Sequence, residues 1–175
     1  MSDKNLFNEE AKKKLKQLAK NIDFAMMETN LSGKPSHIIP MSTKEVDVDG
    51  CIWFLSNKNS EYNDYLNSDK SIQLIYAKPS DMEFLTVYGH AFITTDKAIL
   101  EQLYGKSDDA WFDGIDDPNL TAIKVIPEAA HYWDTKNRKL VSLIKMGIGA
   151  ITGEEQDLGE QGDLKMNLGS RPVNR

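Results

Sequence analysis

Between Glu9 and Ile22, apolar residues recur at Ala11, Leu15, Leu18, Ala19 and Ile22 with lysines between them. That 3.6-residue period predicts an amphipathic opening helix, with Asn8 as its cap. From Asp23 the period shortens. Phe24–Glu28 and His37–Met41 read as two strands of a hairpin joined by a turn over Asn30–Pro35. A second turn, Asp47-Val48-Asp49-Gly50, leads into Cys51–Leu55, whose unbroken apolar run predicts a strand covered on both faces, at the centre of the sheet. After Ser56–Ser60 and Glu61, the residues Tyr62, Tyr65 and Leu66 stand at i, i+3 and i+4, the mark of a short capped helix. Further strands are expected over Ser71–Ala77, over Phe84–Thr94 with a bend at Gly89, and over Thr121–Ile126 and Ala129–Trp133, with a helix from about Asp96 to Tyr104.

About seven short strands that follow one another without intervening helices predict a mainly β fold, a small antiparallel β-barrel with peripheral helices. The order is wrong for a doubly wound nucleotide-binding sheet. From Gly147 onward the chain is rich in Gly, Glu and Asp and loses its periodicity, so 6–146 reads as the folded domain and 147–175 as a flexible tail. No internal repeat is present.

Composition narrows the classes. The chain has 175 residues, 40% of them hydrophobic and 27% charged, the profile of one globular domain. No apolar run approaches the ~20 residues of a membrane helix. The first residues, MSDKN, are polar, so the expectation is a cytoplasmic protein with neither membrane span nor secretory signal. Twenty-seven acidic against 21 basic residues give a net charge of −6, which makes nucleic acid a poor partner. The only arginines are Arg138, Arg171 and Arg175, so planar bidentate phosphate clamps are scarce. Cys51, the single cysteine, sits in an apolar run and reads as a small buried hydrophobe.

The candidate chemistry is concentrated at a few places. Ser56–Ser60 brings small polar side chains, Lys58 and backbone N–H groups to a helix N-terminus, an arrangement that suits an anion. The plainer reading is an ordinary turn with Ser60 as a cap. Trp53 belongs to the core by its apolar neighbours, whereas Trp111 and Trp133 lie among polar residues and are candidates for ligand or interface contact. His37, His90 and His131 show no metal-ligand spacing, and no nucleophile–base set is apparent. Gly147–Gly153 echoes a dinucleotide loop but lacks the strand and helix that such a loop requires.

Several motifs recur in a specific order: Gly33-Lys34-Pro35 leading to Pro40-Met41, Glu45-Val46-Asp47 with Asp49-Gly50, and Ile52-Trp53-Phe54 with Ser56-Asn57 and Ser60. Val87-Tyr88-Gly89, Ala110-Trp111-Phe112 with Asp116-Asp117-Pro118, and Pro127-Glu128-Ala129 running to Tyr132-Trp133-Asp134 complete the series. In this the chain resembles the pyridoxamine 5'-phosphate oxidase-related FMN-binding split barrels, within them the general stress protein 26-like group, over Leu6–Met146. The resemblance implies a six-stranded split barrel that forms a homodimer with FMN in grooves between subunits. It implies that the phosphate is held around Ile39, Pro40 and Met41 and by Ser56, Asn57, Ser60 and Tyr62, and that Trp133 reaches the flavin from the other subunit; Trp111 remains a ligand candidate. Many relatives carry Arg and Lys where this chain has Ile39 and Tyr62, which leaves Lys44 and Lys58 as substitute cations. The implied activity is FMN-dependent oxidoreduction with NADH or NADPH as donor. The alternative is a non-enzymatic stress protein that binds or buffers flavin.

Overall fold

The computed structural model describes residues 2–135 and 159–166. Two dipeptide strands, β1 (Ser2–Asp3) and β2 (Leu6–Phe7), precede α1 (Asn8–Ile22). Then come β3 (Phe24–Thr29), β4 (His37–Ser42), β5 (Glu45–Val46), β6 (Ile52–Asn57) and α2 (Glu61–Ser68). They are followed by β7 (Ser71–Lys78), β8 (Glu83–Thr94), α3 (Lys97–Leu103), a 3-10 turn over Lys106–Ala110, β9 (Leu120–Asp134) and β10 (Glu160–Lys165). The fold is mainly β, as the strand pattern predicts. Its sheet has ten strands rather than six or seven, because three are dipeptides and β10 lies in the stretch expected to be tail.

The barrel is nevertheless built on six positions. β4 pairs with β3, β3 with β7, β7 with β8, β8 with β9, β9 with β6, and β6 with β5, every pair antiparallel. Since β5 continues from β4 after Thr43 and Lys44, one bent strand closes the ring between β3 and β6. β9 is long enough to take part in two arrangements. Its first half pairs with β6 and its last residues with β10, which splits the sheet along one edge.

The sequence pattern predicts two strands here, Thr121–Ile126 and Ala129–Trp133; in the structure β9 runs unbroken from Leu120 to Asp134. Pro127 has no N–H to give a ladder, and there the pairing with β8 slips, so that Gly89 faces Pro127 while Tyr88 faces Ala129. Glu128 is the extra residue of this bulge. A Cβ on Gly89 would fall on the Ile126 carbonyl oxygen, so only glycine fits opposite the bulge.

Inside the ring, Met27, Leu74, Tyr76, Leu85, Val87, Ile52, Phe54, Ile123, Val125 and Tyr132 form one core, into which α1 lays Ala11, Leu15, Leu18 and Ala19. Each such aliphatic or aromatic side chain contributes about 1.5–3 kcal/mol on burial. β6 is covered on both faces as its apolar run predicts: Ile52 and Phe54 meet the main core, and Trp53 and Leu55 meet Leu100 and Leu103 of α3. It is not the centre of the sheet, since its second neighbour is only the dipeptide β5; the cover on its outer side comes from α3. Trp53 is a core residue, with its indole N–H donating to Asp47 Oδ2 at 2.9 Å.

The expected Asn8 cap is displaced. Leu6 and Phe7 are held in a strand against β10, so the chain enters α1 directly from extended backbone. Phe7 stands at the N-cap position with no side-chain cap bond, and Asn8 makes the turn with φ 48, a conformation asparagine tolerates. Within the expected tail, Glu160–Lys165 is an ordered strand, antiparallel to β9 and parallel to β1 and β2. It has little apolar alternation because two of its three inward positions are Glu160 and Gly162; Gly162 is needed where a Cβ would meet the Lys4 carbonyl. The boundary at Met146, the Gly147–Gly153 loop and residues 167–175 lie outside the described residues.

Two outcomes are expected. Gly89→Ala should lower stability by at least ~2 kcal/mol in urea titration, because the bulge has no room for the methyl group. Burial pushes the Cys51 thiol up from its ordinary 9.0 to about 11. The native protein should therefore leave a thiol-specific dye unreacted at pH 8 until denatured. The stability that the neutral thiol contributes is complete below about pH 9 and lost as pH rises toward 11. Cys51→Ala should flatten that alkaline decline in thermal melts.

Candidate functional site

Strand alternation and the bulge decide which side chains face outward. Ala130 and Tyr132 belong to the core, so His131 and Trp133 stand on the outer face of β9. By register, one row crosses this face through Pro40, Met26, Ile75, Thr86, His131 and Asp163, on six adjacent strands. The neighbouring row carries Ala77, Phe84, Trp133 and Gln161. Between the rows lies a groove of about 420 Å³ lined by Ile75, Tyr76, Met82, Phe84, Thr86 and Trp133.

The groove is apolar at one end and ionisable at the other. His131 Nδ1 lies 2.9 Å from Asp163 Oδ1, and the His131 and Trp133 rings meet edge-on with centroids 4.5 Å apart. A carboxylate only accepts, so Asp163 fixes the neutral imidazole as the Nδ1–H tautomer and leaves Nε2 as an acceptor. On the opposite, inner side of the sheet, Lys78 is held by Asp81 at 2.9 Å and reaches the Asn21 carbonyl at the end of α1 at 3.4 Å. Glu83, also close by on β8, bonds to the Asn21 amide.

The residues expected around a phosphate do not all meet. Ile39 and Met41 face inward and pack with Tyr62 against the core, while Pro40 alone of that triplet turns to the outer face. Ser56 is buried, its hydroxyl 2.6 Å from Thr121 Oγ1. The Ser60 hydroxyl sits at the start of α2 but does not cap it. It donates to the Asn57 carbonyl at 2.7 Å, and the Asn57 side chain in turn accepts from the Asn59 amide at 2.9 Å. The Tyr62 hydroxyl receives a long bond, 3.4 Å, from the Asn57 amide.

Charges near this turn are already engaged. Lys44 is clamped by both oxygens of the buried Asp108, at 2.9 and 2.7 Å. Lys58 lends its amide to Asn119 and holds its side chain in solvent. Glu61, the first residue of α2, accepts from the Tyr65 hydroxyl at 2.6 Å and stands 3.7 Å from His37. That hydrogen bond raises the Tyr65 hydroxyl above its ordinary pKa. Trp111 ends the 3-10 turn, 80% exposed and not part of the groove lining.

A flavin needs an apolar wall for its ring and donors or cations for its phosphate. The groove provides the first. In the turn before α2 the Ser60 hydroxyl and the Asn59 and Ser60 amides are engaged by Asn57, and the Lys58 amide by Asn119. Sequence reading identifies Trp133 but not Ile75, Met82, Phe84 or the His131–Asp163 pair. Asp163 in particular lies in a stretch with no apolar period to mark it. Among the described residues no three His, Cys, Asp or Glu side chains group as a metal site, and no helix is long and apolar enough to cross a membrane.

Comparison with known proteins gives a consistent family. Protein bli-3 of Neurospora crassa is 28% identical over 110 residues, which cover 58% of this chain and 53% of that protein; the match thus spans about half the length of this curated relative. A candidate general stress protein 26 from Jannaschia sp. CCS1 superposes with a TM-score of 0.73 at 22% identity, over 90% of this chain and 98% of its own. The general stress FMN/FAD binding protein of Xanthomonas citri gives 0.62 at 22% identity, over 73% and 89%. These likenesses fix the fold as a split barrel of this type. The family model described as pyridoxamine 5'-phosphate oxidase like matches residues 10–157, and to that family the chain belongs.

Proposed function

We propose that this chain is a flavin-binding split-barrel protein of the general stress type that acts as a flavin-dependent oxidoreductase. The observation that carries the reading is the groove beside Trp133, an apolar wall wide enough for a fused ring on the outer face of the barrel. The Xanthomonas citri protein of the same fold is described as FMN/FAD binding, which supports the choice of ring. Flavin supplies a ring that accepts a hydride from a donor such as NADH or NADPH. The chain's own part is to bind and orient. Phe84, Met82 and Ile75 exclude water from one face, Trp133 offers an aromatic surface, and His131 held by Asp163 presents one polar nitrogen near the ring edge.

The same face supports a homodimer. Phe24, Met26, Ile38 and Ile75 are exposed on it, Phe24 by 58%, and with Pro40 they extend from the Ile75 side of the groove across β3 and β4. A contiguous apolar patch of this kind is stable in water when a second copy covers it. The pairing would also close the open side of the groove. A second reading, flavin binding without turnover, is favoured by one observation: Lys44 is already paired with the buried Asp108.

The direct test is the visible spectrum of protein incubated with flavin and desalted, followed by addition of NADH or NADPH. Retained flavin bands that bleach at ~1 per second or faster support the oxidoreductase; retained bands that neither nicotinamide bleaches favour the binding protein. Trp133→Ala should weaken flavin affinity about tenfold, the loss of ~1.4 kcal/mol of ring contact, with little change in melting temperature. Met26→Asp combined with Ile75→Asp should convert a dimer to a monomer in light scattering at micromolar concentration.

A further inference from the structure

We propose that the site holds a planar ring and makes no use of its phosphate, so that riboflavin or a similar uncharged ring system is bound as tightly as the nucleotide form. This rests on the flavin reading above and adds the class of ligand. Three places on the chain are candidates to meet a phosphate, and each is closed to it by a different local arrangement.

At the start of α2 the first side chain is a carboxylate, Glu61, fixed by the Tyr65 hydroxyl at 2.6 Å. A helix N-terminus attracts anions, but here the chain supplies its own, and a phosphate dianion beside it meets like charge. The Ser60 hydroxyl, which would donate to a phosphate, donates instead to the Asn57 carbonyl. Just before β5, Lys44 is held by both oxygens of Asp108 with little exposure of either side chain. Releasing it would leave Asp108 buried and uncompensated. Beside the groove His131 is held by Asp163, and none of the residues that line it carries a charge. Lys58 remains, on the exposed turn, where a single solvated lysine adds little affinity.

The ring half of the ligand faces the opposite situation. Ile75, Met82, Phe84 and Trp133 surround the groove without a charge among them. Binding energy thus comes from apolar and aromatic contact, which is indifferent to what the ribityl chain carries at its far end. One charge-assisted bond to phosphate is worth about tenfold in affinity. A site to which no described residue offers such a bond should show a ratio of dissociation constants near unity.

The experiment is calorimetric titration of the full-length protein with lumiflavin, riboflavin and FMN, at 50 and 500 mM NaCl. Dissociation constants for riboflavin and FMN within about threefold of each other, at both salt concentrations, are the expected result. FMN bound ten times tighter than riboflavin, with the advantage shrinking at high salt, would overturn the proposal and leave the flavin reading standing. No heat from any of the three at 100 µM would overturn both. Lys58→Ala keeps the placement falsifiable: FMN affinity should change less than twofold, and a tenfold loss confined to FMN would reveal a phosphate clamp at the turn and refute the inference.

Discussion

The slip between Tyr88–Gly89 and Pro127–Ala129 is the constraint on which the outer face depends. Strand side chains alternate with period two, so a single inserted residue exchanges the two faces for everything beyond it. Before the bulge the inward residues of β9 are Ile123 and Val125; after it they are Ala130 and Tyr132. Were Glu128 paired in regular register with Tyr88 instead of bulged, His131 would stand opposite Leu85 and Trp133 opposite Glu83 on the inner face, and the groove would lose its aromatic wall. The bulge in turn requires Gly89, because the Ile126 carbonyl occupies the space of a Cβ. Gly89 and Pro127, with no polar side chain of their own, therefore decide together with Glu128 where the chemistry faces.

The end of β9 is then held by contacts from far along the chain. Tyr132 donates its hydroxyl to the Lys4 carbonyl at 2.9 Å, Lys14 pairs with the mostly buried Asp134 and lies over the Tyr132 ring, and β10 adds the Asp163 carboxylate to His131. The N-terminal residues, α1 and β10 converge on the strand that carries Trp133. This gives the outer row its polarity: apolar on β4, β3 and β7, ionisable on β9 and β10. A ring lying along that row would have one end against Met26 and Ile75 and the other near an oriented imidazole.

Much of this was legible in the sequence, for identifiable reasons. α1, the β3–β4 hairpin, β6, β7, β8 and α3 each carry a period or an apolar run that local physics interprets in only one way. The two halves of β9 were legible but their union was not, since Pro127 reads as a break whereas in the sheet it is accommodated at a bulge. Trp133 stood out by its type, and Trp53 was placed in the core by its neighbours. β10 was illegible because its order comes from partners: Glu160 and Gly162 are buried by β9 and β1, not by hydrophobicity of their own. The His131–Asp163 pair was hidden with it, as half of the pair sits on that strand.

Lys44, Ser60 and Tyr62 show what type and position alone leave undetermined. The sequence indicates that a lysine and a serine lie near a helix N-terminus, and chemistry says these bind anions. Whether they do depends on what else competes for them. Asp108 enters from the 3-10 turn to hold Lys44, the Asn57 carbonyl turns back to accept from Ser60, and Tyr62 packs with Ile39 and Met41 against the core instead of facing a ligand. Each competitor is itself satisfied by the contact, so displacing it costs the protein a bond for every bond the phosphate gains. Donors already engaged within the chain offer an incoming anion little net attraction, however favourable their composition.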